Sequence, residues 1–142
     1  MAISQAVCNS FKKELLDGAH DFDTGGSTFK LAMYTSAANL SAATTTYTTT
    51  SEVGDSGAYS AGGGVLQSQQ TSVASGVAIV DFANLSFTGV TITARGAVIY
   101  NSNANKQAVA VLDFGSDKTA TSGTFTIQFP SFTTSAAILR IS

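Results

Sequence analysis

The chain has 142 residues, a formal net charge of −2 and a low charged fraction of 11%. A length of this order fits one domain with a core of its own, and the hydrophobic content of 44% excludes a disordered chain. The seven basic residues are spread along the sequence, which excludes a nucleic-acid-binding patch. No apolar run reaches the ~20 residues of a membrane span, and a single cysteine excludes a disulfide framework.

Small hydroxyl residues take the place of charged ones. Thr occurs 19 times and Ser 18 times, so the predicted surface is polar but nearly uncharged, and neighbouring copies would repel one another little. Residues 1–10 contain no basic stretch of the kind that begins a signal peptide. We therefore expect a soluble product made in the cytoplasm.

The first predicted element is an amphipathic helix over residues 3–17. Its apolar stripe recurs every four positions and consists of Ile3, Val7, Phe11 and Leu15. Ser4 is placed to cap the start of the helix and Gly18 to end it. Covering the chain's own sheet is the favoured role of the stripe. The alternative is an arm that packs on a partner subunit, with Phe11 and Leu15 as contacts.

Beyond residue 18 the apolar residues alternate, which predicts β-strands. The first strand covers residues 28–35, and seven further candidates lie at 65–70, 77–82, 90–93, 97–101, 108–114, 124–129 and 136–141. This pattern predicts one mainly β domain over residues 1–142, an antiparallel β-sandwich or jelly-roll-like fold with an N-terminal helix and most strands within 65–142. The expected core consists of Phe29, Leu31, Met33, Val109, Val111, Phe125, Ile127 and Phe129.

Residues 36–64 fit no strand pattern and are rich in Thr, Ala and Gly. A stretch of this length is either an extended arm along a neighbouring subunit or a mobile surface loop, and the sequence leaves both interpretations open. In the arm interpretation Tyr47 and Tyr59 are the expected partner contacts, because they are large side chains among small ones.

Two short motifs resemble parts of nucleotide-binding sites, but the other motifs that such sites require are missing. Residues 113–115 spell the Asp-Phe-Gly magnesium motif of kinases, but the other kinase motifs are missing. Residues 62–64 are three glycines, yet no Gly-Lys-Ser/Thr follows as in a phosphate-binding loop. We interpret the first as a strand end with a turn and the second as a turn or flexible hinge.

Metal-binding and nucleophilic residues are equally sparse. Asp21 and Asp23 begin like a calcium loop, but the position of the closing carboxylate is occupied by Ala32. His20 is the only histidine, and Cys8 falls on the apolar stripe, where it has no catalytic partner. We therefore expect no catalytic residues, no cofactor, no metal and no enzymatic activity.

Most of the chain resembles small β-rich virion proteins of tailed bacteriophages, particularly phages of cyanobacteria and other aquatic bacteria. The stretches that carry the resemblance are residues 6–16, 29–36, 93–101, 108–119 and 123–130. The resemblance is loosest over residues 41–64. Members of this group carry no catalytic motif, so the resemblance implies a structural place in the virion and leaves the particular place open.

The leading hypothesis is a capsid decoration, or cement, protein that binds the outer shell and stabilises it. The alternatives are a tail, neck or fibre component and a host-surface binding module, the last disfavoured because the chain has no Trp for a sugar platform. The expected partners are other copies of the chain, with a trimer favoured, and virion proteins such as the major capsid protein. No nucleic acid or membrane partner is expected.

Overall fold

The computed structural model describes residues 2–103, 105–130 and 138–141. Within them the chain forms eight strands and one helix: β1 (Ala6–Val7), α1 (Asn9–Leu16), β2 (Phe29–Tyr34), β3 (Gly64–Val65), β4 (Gln70–Ala74), β5 (Val77–Asp81), β6 (Leu85–Asn101), β7 (Ala108–Ile127) and β8 (Leu139–Ile141). The prediction of a mainly β chain with one N-terminal helix is confirmed. No helix in the described ranges has the length and apolar character needed to cross a membrane.

The strands form two antiparallel sheets. The larger has the order β1-β7-β6-β2-β3 and the smaller the order β4-β5-β8. Phe82, which follows β5, lies 5.9 Å from Phe29 of β2 and 6.3 Å from Phe22 between ring centroids. Because rings at these distances are in van der Waals contact, the two sheets share one apolar core in a sandwich-like arrangement.

A long hairpin of β6 and β7 forms the centre of the larger sheet. Its strands have 17 and 20 residues and pair from Tyr100–Ala108 to Leu85–Ile127. The sequence predicted four separate strands here, at 90–93, 97–101, 108–114 and 124–129. The structure instead absorbs residues 114–117 as a bulge in a continuous ladder.

The predicted helix over 3–17 is too long at its start. Ala6 and Val7 pair with β7 as a strand, and α1 begins only at Asn9. The edge of β7 offers main-chain hydrogen bonds there, so the Ser4 cap was wrong. The predicted end is confirmed, since Gly18 has φ +78° and its N–H donates to the carbonyl of Leu15.

The predicted core is confirmed at seven of its eight positions. Phe29, Leu31, Met33, Val109 and Val111 are fully buried, and Phe125 and Ile127 are nearly so. Phe129 is half-buried against the same cluster. The strand predicted at 65–70 is replaced by β3 and the start of β4, and residues 136 and 137 of the last predicted strand lie outside the described residues.

Residues 36–64 form a loop that packs on the larger sheet, and the extended-arm interpretation is wrong. Ala38, Leu40 and Val53 are buried in the core. The N–H of Val53 donates to the carbonyl of Met33 in β2, and the N–H of Ser4 donates to the carbonyl of Leu40. These bonds and the buried side chains fix the loop within its own chain.

Candidate functional site

The four residues predicted as partner contacts divide into two pairs. Tyr59 is 0% exposed and Phe11 is 4% exposed. Both lie in the chain's own core, so they are withdrawn as contacts. Tyr47 and Leu15 are half-buried against that core and keep a side available to a partner. The hydroxyl of Tyr59 bonds to the carboxylate of Glu52, a residue that was not predicted from the sequence.

Glu52 is the centre of the loop over residues 36–64. Its Oε1 accepts a hydrogen bond from Tyr47 Oη at 2.5 Å, and its Oε2 accepts from Tyr59 Oη at 2.7 Å. The N–H of Gly62 also donates to Oε2, at 2.8 Å. Tyr59 Oη in turn accepts from the N–H of Met33 in β2. The carboxylate therefore connects three parts of the loop to each other and to the larger sheet.

The other two tyrosines complete this cluster. Tyr34 Oη donates to the carbonyl of Thr48, and Tyr100 Oη donates to the carbonyl of Gly62. Tyr47 stacks on Tyr100 with ring centroids 4.7 Å apart. All four tyrosines of the chain are thus engaged internally, and their hydroxyls leave no free donor for a ligand. We call Glu52 and the four tyrosines the Glu52 cluster.

Burial sets the acid–base behaviour of the Glu52 cluster. It raises the pKa of the Tyr100 phenol to about 12, with a smaller contribution from the negative charge of Glu52. The pKa values of Tyr34, Tyr47 and Tyr59 are raised further by the same main cause. The phenols are therefore protonated donors at neutral pH and cannot serve as general bases there.

The three glycines at 62–64 allow the loop backbone to lie directly on β2. A Cβ at Gly63 would overlap the carbonyl oxygen of Leu31, and the residue has φ +82°. A Cβ at Gly64 would come within 3.1 Å of the Phe87 ring. The turn interpretation of this motif is confirmed, since residues 61–62 form a turn. Close approach of two backbones explains Gly63, and a positive φ of +99° explains Gly62.

His20 is buried between α1 and β6 in a single tautomer. Asn101 Nδ2 donates to the carbonyl of Ala19 and its Oδ1 accepts from the N–H of Asn103, which fixes the orientation of the amide. The same Nδ2 lies 3.1 Å from His20 Nδ1, so that nitrogen must accept. His20 Nε2 then carries the hydrogen and donates to Glu14 at 3.0 Å. The ring joins the helix to the sheet.

Cys8 and the aspartates near His20 show no arrangement for catalysis. Burial, together with the charge of Glu14, raises the pKa of the Cys8 thiol to about 11, which keeps it protonated. Asp21 accepts a hydrogen bond from the N–H of Asp23, as in an Asx turn, and Asp23 accepts one from the N–H of Thr24. Across the described ranges, no three His, Cys, Asp or Glu side chains are grouped to hold a metal ion.

The candidate functional site is an apolar groove of about 860 Å³ between α1 and the smaller sheet. The helix contributes Leu15 and Leu16, and the sheet contributes Ala78, Val80 and Ile141. Side chains of this kind favour contact with another apolar surface. Its charged lining residues are Lys12, Asp21, Asp23 and Arg140.

Exposed apolar side chains are concentrated around this groove. Leu16 is 89% exposed, Val73 72% and Ile141 57%. Val73 lies on the groove-facing side of its sheet, because it pairs directly with Ala78. The fourth exposed residue of this kind in the described ranges, Val65, lies in β3 of the other sheet and is 40% exposed. We call Leu16, Val73 and Ile141 the groove rim.

The groove rim and Glu52 were not predicted as functional residues from the sequence. A signal for β4 existed, since Thr71 and Val73 alternate with polar residues and Ser75-Gly76 is a hairpin turn before Val77. No local signal marks Glu52, because its partners come from distant positions.

No protein-family model, curated protein or solved structure matches the chain. The function is therefore inferred from the surfaces described above.

Proposed function

We propose that this chain is a structural protein of a tailed-phage virion that decorates the outer surface of the capsid shell and stabilises it. The observation that carries the proposal is the groove rim: the exposed side chains of Leu16 and Ile141 line the groove, and exposed Val73 lies on the same face of the smaller sheet. Clustered apolar exposure of this kind marks sites of protein–protein contact. The resemblance to small virion proteins supports the choice of a shell protein as the partner.

The outward face of the β6–β7 hairpin supports an assembly role. Its hydroxyls bond to each other in cross-strand pairs, Ser86 with Thr126 and Thr93 with Thr119, both at 2.9 Å. The two strands of the hairpin contain four charged residues, of which Arg95 lies 3.8 Å from Asp113 and 3.9 Å from Asp117. Subunits that pack through surfaces with few charges make contacts that depend weakly on salt.

Copy number in purified virions tests the proposed place in the particle. Quantitative mass spectrometry against the major capsid protein is expected to give hundreds of copies per virion. A few to a few dozen copies would place the chain in the tail, neck or fibre and contradict decoration. Absence from purified virions would contradict the structural role altogether and favour the host-surface module.

Variants of the groove rim test the contact itself. Shells that lack the protein are incubated with recombinant chain, and bound protein is measured after sedimentation. Leu16→Lys and Ile141→Lys are expected to reduce binding at least about tenfold, because each places a charge in an apolar contact. Val65→Lys is the matched control and is expected to bind like the wild type. Equal binding by all three variants would contradict the groove rim as the contact.

A further inference from the structure

The smaller sheet ends in a strand that lacks the usual protection of a sheet edge. No strand in the described part of the chain pairs with the outer side of β4. Its five residues, Gln-Thr-Ser-Val-Ala, include no charge and no proline, and all five are exposed. Natural proteins normally protect an open edge with Lys, Pro, a bulge or a very short strand. An edge that is regular, neutral and five residues long is therefore a site for strand addition.

The other strands at sheet ends do carry such protection. β1 and β3 have only two residues each. β8 has three residues, and its centre is Arg140. Among the described strands, β4 is thus the edge best suited to pair with another chain.

The turn after β4 decides which main-chain groups face outward. Ser75 and Gly76 both have positive φ, 52° and 77°, which makes a tight two-residue hairpin turn. Ala74 and Val77 flank this turn as a hydrogen-bonded pair, and every second residue back along β4 bonds to β5. The N–H and C=O groups of Thr71 and Val73 therefore point to the open edge.

We propose that β4 pairs with β4 of a second copy of this chain, antiparallel about a two-fold axis at Ser72. This register places Thr71 opposite Val73 of the second copy, and the reverse, so that four main-chain hydrogen bonds form. The two three-stranded sheets become one six-stranded sheet. Each exposed Val73 is covered by the Thr71 and Val73 side chains of the other copy.

A second copy fits this edge better than a charged partner does. β4 contains no ionisable side chain, so two copies meet without the like-charge repulsion that penalises self-pairing. Thr71 and Val73 are both β-branched and favour a strand on either side of the axis. The apolar faces of both sheets lie on one side, so the two grooves become parts of a single surface.

The contact is two-fold and gives a dimer, in place of the trimer favoured by the sequence. It does not depend on the virion assignment, since it concerns the isolated chain. Sedimentation velocity over a range of protein concentrations is expected to show a species of about 29 kDa, twice the 14.5 kDa of one chain. A monomer at all concentrations, or a trimer, would overturn the proposal.

Two variants locate the contact. Val73→Pro removes an outward N–H, which an edge strand tolerates, and Val73→Lys places like charges near the axis. Both are expected to sediment as monomers with an unchanged far-UV spectrum, whereas Val65→Lys stays dimeric. A dimer that survives both Val73 variants uses another surface and overturns the proposal.

Hydrogen exchange of the wild-type protein gives a measurement that needs no variant. The amides of Thr71 and Val73 are expected to be protected in the dimer and to lose protection at least about tenfold on dilution to monomer. Fast exchange in the dimer overturns the pairing. Protection that persists in the monomer means that the chain covers its own edge, which also overturns it.

Discussion

The loop over residues 36–64 and the smaller sheet differ in how many of their hydrogen-bonding groups and apolar side chains have partners within the chain. In the loop, Glu52 accepts three hydrogen bonds, and four tyrosine hydroxyls find partners inside the molecule. In the smaller sheet, no strand of the described residues pairs with the outer side of β4, and Val73 and Ile141 are exposed. The loop is therefore a closed region that contributes stability, and the sheet is an open region that can contribute contacts.

This difference shows that composition alone does not mark a contact surface. The loop is long, polar and rich in small residues, yet one carboxylate and three glycines attach it firmly to β2. The smaller sheet is shorter and less conspicuous, yet within the part of the chain that the structure describes its strand β4 has main-chain hydrogen-bonding groups that pair with no other strand. The comparison predicts large losses of stability from changes in the loop and small ones from changes at β4.

The largest effect is expected from Gly63→Ala. The new Cβ would overlap the Leu31 carbonyl oxygen and would force Ala to adopt φ +82°. Overpacking and the left-handed backbone together predict a loss of about 3–5 kcal/mol in the free energy of unfolding. Denaturant unfolding measures it, with Gly54→Ala as the control, since nothing lies within 4 Å of a Cβ there. Equal stability of the two variants would contradict the close approach of loop and strand.

The next effect is expected from Glu52→Gln, which keeps the size of the side chain and removes its charge. One of the two acceptor oxygens becomes an NH2 donor that faces Tyr47 or Tyr59. The predicted loss is about 2–4 kcal/mol, as expected for charge-assisted bonds in a partly buried site. Asp55→Asn is the control, because Asp55 accepts an exposed bond from Ala61. A loss below about 1 kcal/mol for Glu52→Gln would show that the loop is held by packing alone.

The tyrosines predict a loss of stability at alkaline pH. Their pKa values are raised in the folded chain, to about 12 for Tyr100, whereas an unfolded tyrosine titrates near 10. As the pH rises, the tyrosines of the unfolded chain therefore lose their protons before those of the folded chain. The contribution of the protonated tyrosines to the free energy of unfolding is complete below about pH 10 and is lost as the pH rises through about 12. Tyrosinate absorbance and far-UV circular dichroism are expected to change together. Free titration near pH 10 in a folded chain would contradict the buried cluster.

The smallest effect on stability is expected from Val73→Lys. Val73 is 72% exposed, so the unfolding free energy of the monomer should change by no more than about 0.5 kcal/mol. Thermal unfolding at a concentration where the wild type is monomeric measures this. A loss above about 2 kcal/mol would mean that Val73 packs on its own chain and that β4 belongs to the closed region.

The alternation of apolar and polar residues predicted the strands whose burial depends on their own short segment of sequence. Phe125 and Ile127 alternate with threonines and are buried as predicted. Ile3 and Val7 have helical spacing, but the open edge of β7 captured the segment as a strand, a tertiary effect that spacing does not report. The separation predicted between the strands at 90–93 and 97–101 is wrong for the same reason, because the partner strand β7 absorbs the irregularity as a bulge.

The candidate site was less predictable than the fold. Leu15 was identified correctly as a residue of the helix stripe, but Leu16 beside it is the exposed one. The importance of Glu52 depends on Tyr59 and Gly62, which reach it only after the loop has turned back on itself. An open edge such as β4 is a property of sheet order, and sheet order is set by pairings that no single segment encodes.

The pairing of β1 with β7 has a consequence for the order of events during synthesis. Ala6 hydrogen-bonds in register with Val111, whereas Tyr100 pairs with Ala108 across one short turn. Ala6 is therefore synthesised long before its partner Val111. The hairpin of β6 and β7 can form as soon as it emerges, because its closing loop is short. The strand β1 thus joins the larger sheet only after β7 has been made, although β1 itself is made before β7.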